Sequence, residues 1–250
     1  MDTAVEHAVP LMLSGVSYHY EADGPGIDDV SLSCSEGSWT AVMGPSGAGK
    51  STLLYCASGL LPVSSGSVCV GGQELTAMNE QKLTRLRRDH IGFIFQDYNL
   101  VEAFSCLQNV MLSDLFGGRR IELSQALAAL AQVGLEESAN LFPGHLSGGQ
   151  RQRVAIARAL AAQPDMIFAD EPTGALDSKS SRMVLTSLRA VVNEGRAVLM
   201  VTHDPSVAAE ADRVIFVEDG RVRSVLPGGD PHMIAQELTA LAHSPEEDRL

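Results

Sequence analysis

One loop restricts this chain more than anything else in it. Gly44-Pro45-Ser46-Gly47-Ala48-Gly49-Lys50-Ser51 follows an apolar run, Thr40 to Met43, and precedes a helical pattern, Ser51 to Ser58, that Gly59 is placed to stop. Glycine, four residues, glycine, lysine and a hydroxyl, set between a strand and a helix, is the pattern of a phosphate-cradling loop. The glycines let the backbone curl so that successive N–H groups face inward, and the helix N-terminus adds partial positive charge. Lys50 is spaced to reach the terminal phosphates of a polyphosphate, and Ser51 offers Mg²⁺ a ligand. The bland alternative is a glycine-rich turn that happens to contain a lysine, and the strand-loop-helix setting argues against it.

The rest of the pattern is of the α/β class with a mainly parallel sheet. Buried-strand candidates are Thr40 to Met43, Ile91 to Phe95, Met166 to Ala169, Val198 to Thr202 and Val214 to Val217. Between the second and third lies a long helical stretch, about 97–164, without a convincing strand, which reads as an insertion into the core. Within it Ser124 is a candidate N-cap and Gly134 a candidate stop. Leu11 to Leu75 holds short β-like pieces, Ser67 to Val70 among them, consistent with a small antiparallel sheet beside the core. The boundaries drawn are one domain over 1–226 and a C-terminal tail over 227–250, with one short helix from His232 to Ala242 and a frayed end.

Composition narrows the classes. At 45% hydrophobic residues a core is affordable, yet no stretch approaches the about 18 apolar residues of a membrane span. Met1 to Pro10 lacks a positive segment followed by an apolar run, which predicts a cytoplasmic location. A net charge of −13 opposes broad attraction to nucleic-acid phosphates, so phosphate binding has to be local and no nucleic-acid partner is expected. Lys82, Arg85, Arg87 and Arg88 read as a solvated helix face, and Arg151, Arg153 and Arg158 as exposed or paired with acidic neighbours. Cys34, Cys56, Cys69 and Cys106 show neither CxxC spacing nor a histidine at ligand distance, so they read as reduced, mostly buried thiols.

A second acidic signal ends an apolar strand at Asp170-Glu171. Neighbouring strand residues point to opposite sides, so their jobs should differ. Asp170 is placed to hold Mg²⁺, through water, and Glu171 to polarise a water that attacks the terminal phosphate. Alone, such a pair is more often a solvated loop start; beside a phosphate loop the balance reverses. His203, before Asp204 and Pro205, has a similarly bland reading as a helix-start residue, with Asp204 as N-cap and Pro205 at the first helical position.

These pieces fall in one order along the chain, and with Leu146-Ser147-Gly148-Gly149-Gln150 they resemble the ABC ATPase family over nearly its whole length. The resemblance implies a RecA-like P-loop NTPase core with a small antiparallel β subdomain and an inserted α-helical subdomain. It implies ATP and Mg²⁺ as cofactors, with ATP hydrolysis as the activity. Nucleotide contacts would come from Gly44, Pro45, Ser46, Gly47, Ala48, Gly49, Lys50, Ser51 and Thr52. Tyr20 resembles the aromatic that stacks on adenine, although Tyr18 lies on the same strand face and either ring could simply pack. Gln96 corresponds to a Q-loop glutamine that meets Mg²⁺ or the attacking water; its bland reading is a polar strand end. His203 corresponds to the switch histidine that positions Glu171, and Gly174-Ala175-Leu176-Asp177 to a D-loop with Asp177 near the nucleotide. Ser147, Gly148, Gly149 and Gln150 open a helix whose free N–H groups would meet the γ-phosphate held by a second subunit.

At a finer level Phe95 to Leu100, Asn109-Val110 and Asp170 to Asp177 resemble the subfamily serving macrolide export and lipoprotein release. Gln108 departs from the glutamate common there. That resemblance implies a homodimer of ATPase subunits working on a membrane permease, held at the inner face of the cell membrane, and moving a lipophilic molecule, peptide or lipoprotein. Two further readings share the same ATPase residues: a mechanotransmission module acting on cell-wall hydrolysis, and a soluble ABC ATPase acting on DNA or ribosomes. One ATPase unit, the absence of sustained heptads and the acidic charge count against the last.

Overall fold

The structure is a computed structural model that describes residues 9–20, 24–115, 120–174 and 176–242. The chain opens with β1 (Leu11–Tyr20) and β2 (Gly24–Cys34), enters the core with β3 (Trp39–Met43), and passes through the glycine loop into α1 (Lys50–Ala57). It then returns through β4 (Ser65–Val70) and β5 (Gln73–Glu74), followed by α2 (Glu80–His90) and β6 (Ile91–Ile94). A helical stretch follows with α3 (Cys106–Val110), α4 (Leu112–Leu115), α5 (Leu123–Gln132) and α6 (Gly148–Ala161). The remainder alternates: β7 (Met166–Asp170), α7 (Ser178–Asn193), β8 (Ala197–Val201), α8 (Pro205–Ala208), β9 (Arg213–Glu218), β10 (Arg221–Pro227) and α9 (Pro231–Ala242).

Two sheets result. The central one has the order β10-β9-β3-β8-β7-β6, parallel except for the β9–β10 hairpin. The other is antiparallel, in the order β2-β1-β4-β5. Every residue of β3, β7 and β8 is buried, as a parallel sheet covered on both faces requires. The faces separate by residue parity. Trp39, Ala41 and Met43 join one core with Ile167 and Ala169, against α3, α5, α6 and α7. Val42 joins Met166 and Phe168 in the other, against α1 and the antiparallel sheet.

Corrections concern helix ends and arginines. The N-cap of α5 is Glu122, in a reciprocal capping arrangement with Gln125, and Ser124 lies inside the first turn. A Glu-x-x-Gln pair performs the task expected of serine. Gly134 does stop the helix, at φ +67°. Arg153 and Arg158 bond carbonyl oxygens, of Gly149 and Val133 and of Tyr98 and Asn99, rather than acidic side chains. α9 begins one residue earlier than read, and its Ile234 is fully buried in the first core. The end of the tail and the first eight residues lie outside the described residues. All four cysteines are free, and burial pushes their thiols up, that of Cys56 to about 12. No helix among the described residues is long and apolar enough to cross a membrane.

Phe168 is fully buried on β7, with Phe93 stacked at 6.2 Å. Phe168→Ala should lower the unfolding free energy by about 3–5 kcal/mol, read from urea or guanidinium melts, because transfer and cavity terms add. A loss below about 1 kcal/mol would mean that this layer is not close-packed.

Candidate functional site

Four neighbouring parallel strands, β3, β8, β7 and β6, end on the same edge, where ligands characteristically sit in open α/β sheets. The glycine loop follows β3, Asp170 closes β7 with Glu171 next, His203 lies beyond β8, and Gln96 lies beyond β6. Ser46, Gly47, Lys50, Ser51, Gln96, Asp170, Glu171 and His203 all line one cleft of about 530 Å³. Residues spread over more than 150 positions of sequence thus meet because the strands that carry them are adjacent.

The loop needs glycine for steric reasons at two points. At Gly49, φ is +95° and a Cβ would lie 2.1 Å from the carbonyl oxygen of Gly26 on β2. At Gly44 a Cβ would lie 1.9 Å from the carbonyl oxygen of Val217 on β9. The loop is therefore wedged between both sheets, its carbonyl at Ala48 accepting from Gly220 N–H. Lys50 Nζ donates to Pro45 O at 2.7 Å. Burial lowers the pKa of that ammonium, and the carboxylates of Glu171 and Asp170 act to raise it.

Asp170 is buried, and both its oxygens accept from α1: Ser51 Oγ reaches Oδ1 at 3.3 Å and Tyr55 Oη reaches Oδ2 at 2.9 Å. Burial and the bond to Asp170 push the Tyr55 phenol up to about 12. Glu171 has left the strand. Its φ of +48° is left-handed, Gly174 N–H returns to its carbonyl, and the side chain turns to His203, whose Nδ1 lies 2.9 Å from Oε1. Both carboxylates therefore line one cleft: the left-handed turn overrides the alternation that was expected to send them to opposite sides. Glu171 is largely covered while His203 is 73% exposed, so the carboxylate is oriented from the open side. Ser51 Oγ and Asp170 are a hard oxygen set of the kind that holds Mg²⁺ together with substrate phosphates.

Other expected residues lie elsewhere. The Tyr20 hydroxyl and Thr52 Oγ1 are 3.0 Å apart, and the ring, 43% exposed, covers Gly26; Tyr18 packs into the second core. Ser147 and Gln150 cap each other at the start of α6 and are not among the residues lining the cleft. Asp177 caps α7, its carboxyl held low chiefly by the backbone N–H of Ser180 and then by that residue's hydroxyl. Ala175 lies outside the described residues.

Three contributors were missed. Tyr55 stands one turn after Ser51 on α1, a spacing that was readable. Gln152, buried on α6, donates from Nε2 to Pro172 O at 3.1 Å and so braces the turn carrying Glu171. Arg158 bonds the carbonyls of Tyr98 and Asn99, both at positive φ, and burial lowers its pKa. Both point to backbone oxygens, which leave no mark in sequence.

The fold and this cleft define a P-loop nucleoside triphosphatase. The ABC transporter family profile matches residues 27–174. The macrolide export ATP-binding/permease protein MacB of Burkholderia pseudomallei is 48% identical over 81% of this chain and 31% of its own length. That of Photorhabdus laumondii is 42% identical over 86% and 34%. The chain thus spans about a third of the length of these curated relatives. The ATP-binding cassette MJ0796, solved as a dimer in a post-hydrolysis state bound to ADP and Pi, superposes with a TM-score of 0.82 at 38% identity, covering 87% of this chain and 98% of that one. The chain belongs to the ABC transporter family, as an ATPase cassette.

Gly49→Ala should cost about 1–3 kcal/mol from the left-handed backbone alone, with the clash at Gly26 added. Chemical denaturation together with nucleotide titration checks this. Unchanged stability and affinity would show that the loop can leave its place between the sheets at little cost.

Proposed function

We propose that this cassette binds ATP with Mg²⁺ and hydrolyses it to drive a membrane permease that exports a lipophilic molecule, peptide or lipoprotein. The observation that carries this is the convergence of Lys50, Ser51, Asp170, Glu171 and His203 in one cleft at adjacent strand ends. An acidic protein can accept a triphosphate there because the loop N–H groups and the α1 N-terminus supply local positive potential. Lys50 exchanges its bond to Pro45 O for phosphate oxygens. Ser51, Asp170 and Gln96 would hold Mg²⁺, which would supply positive charge against the phosphates.

Glu171 accepts the proton of the attacking water at its carboxylate, with His203 holding the orientation. Tyr20 takes adenine on its exposed face, a task for which Tyr18 is too well packed. Thr52 and the loop residues Gly44, Pro45, Ser46, Gly47, Ala48 and Gly49 complete the nucleotide contacts. The same chain's Ser147, Gly148, Gly149 and Gln150 face outward and serve the nucleotide of a second cassette, with Asp177 at that junction. Residues 1–226 act as one ATPase unit, with 97–164 as the arm that docks on the permease and 227–250 as an appended tail. The work is done at the inner face of the membrane. The names of the 40–48% identical relatives support the export reading.

Glu171→Gln should bind ATP with near wild-type affinity, lose about 10²–10⁴-fold in turnover, and run as a dimer in ATP by light scattering. Unchanged turnover removes Glu171 as the base. Lys50→Ala should lose ATP binding by calorimetry. Purified from membranes with ATP, Glu171→Gln should bring down a permease; recovery of ribosomal or DNA-bound proteins alone would end the export reading.

A further inference from the structure

Two consecutive residues just after Gln96 hold a backbone that residues other than glycine rarely adopt. Tyr98 has φ +63° and Asn99 φ +48°, both left-handed. Asparagine tolerates that region; tyrosine does so at a cost, and such a run persists only where its surroundings hold it. The holding group is one side chain. Arg158 Nη1 donates to Asn99 O at 2.6 Å and Nη2 to Tyr98 O at 3.0 Å. Successive carbonyls of an extended chain point to opposite sides, out of reach of a single planar fork, whereas those of two residues in one helical region, of either hand, point the same way. The left-handed pair is thus the conformation that offers the guanidinium both oxygens.

The fork acts on the cleft through a short turn. β6 ends at Ile94, Tyr98 N–H returns to Phe95 O at 3.3 Å, and Gln96, Asp97 and Tyr98 all line the cleft. Gln96 lies within that turn. Among the described residues none hydrogen-bonds its side chain, so the course of the backbone sets where the amide points. Arg158 itself is not among the residues lining the cleft. We propose that Arg158 is a positioning residue for the hydrolysis step: its forked bond holds residues 98–99 left-handed and thereby fixes the direction in which Gln96 enters the cleft. The proposal rests on the reading of Gln96 as a partner of Mg²⁺ or the attacking water. Its signature is a loss of turnover without a loss of metal-free nucleotide binding.

The test is a double-mutant cycle on the whole chain, with turnover measured at saturating ATP and Mg²⁺ and, separately, equilibrium affinity for ATP without divalent cation. Arg158→Lys keeps the cation and the stem but loses the fork. Asn99→Val leaves Arg158 intact and puts, at an exposed position, a β-branched residue that resists left-handed backbone. It breaks the same contact from the other side, should the lysine variant not fold. Each folded variant should lose about tenfold or more in turnover, with metal-free affinity within about twofold of wild type. Introduced into Gln96→Ala, either change should alter turnover by less than about twofold, because the residue it acts through is gone. Wild-type turnover in either folded variant overturns the proposal. So does a loss that persists undiminished in Gln96→Ala or appears equally in metal-free affinity, since either marks a structural role. If Gln96→Ala alone leaves turnover unchanged, the reading of Gln96 fails first, and the role of Arg158 falls with it.

Discussion

The wedging of the glycine loop between two sheets is the constraint on which the remainder depends. A chain with a net charge of −13 has little long-range attraction for a polyanion, so its phosphate affinity must come from backbone dipoles held in place. Loose dipoles would reorient, as water does, and contribute little. Here Gly44 lies against the Val217 carbonyl and Gly49 against that of Gly26, and the Ala48 carbonyl accepts from Gly220. The antiparallel sheet and the β9–β10 hairpin thus act as two jaws on one loop, which gives the small sheet a reason to exist.

Cleft chemistry follows from strand order. Because β3, β8, β7 and β6 are neighbours, their exits bring lysine, histidine, two carboxylates and glutamine together without any long loop having to fold back. Asp170 and Glu171 illustrate how much one backbone turn decides. Strand alternation alone would have sent Glu171 to the opposite face; the left-handed turn sends it to His203 instead. A residue without glycine's freedom in that conformation carries a cost of about 1–3 kcal/mol, of the sort stored at functional sites.

Short apolar runs bounded by glycine made the central strands legible, since a covered parallel sheet writes itself as continuous branched residues. The glycine-lysine spacing and the Asp-Glu strand end were legible because phosphate chemistry leaves few alternatives in residue type. What stayed hidden depends on packing. Glu122 displaced Ser124 as a cap because its partner Gln125 completes the reciprocal bonds. Gln152 and Arg158 act on carbonyl oxygens, and any residue supplies those, so no pattern of side chains announces the pairing. The spacing of Tyr55 from Ser51 was readable, but a tyrosine beside Leu53, Leu54 and Cys56 reads as core until the strand end opposite it is known.

Gln152 and Arg158 together give α6 a position no sequence motif described. Gln152 grips the turn after Glu171 at Pro172, and Arg158, less than two turns further along the same helix, grips the Tyr98–Asn99 segment just after Gln96. These are the two sides of the cleft. Arg151 adds a cation over the Tyr98 ring at 5.9 Å. The half-buried guanidinium of Arg158 donates to two carbonyls at once, and separating the segment from α6 would break both bonds together. A shift of α6 must then carry both cleft walls with it. The helix that begins at Gly148 is in this way tied to the turn that carries Glu171 and to the segment just after Gln96.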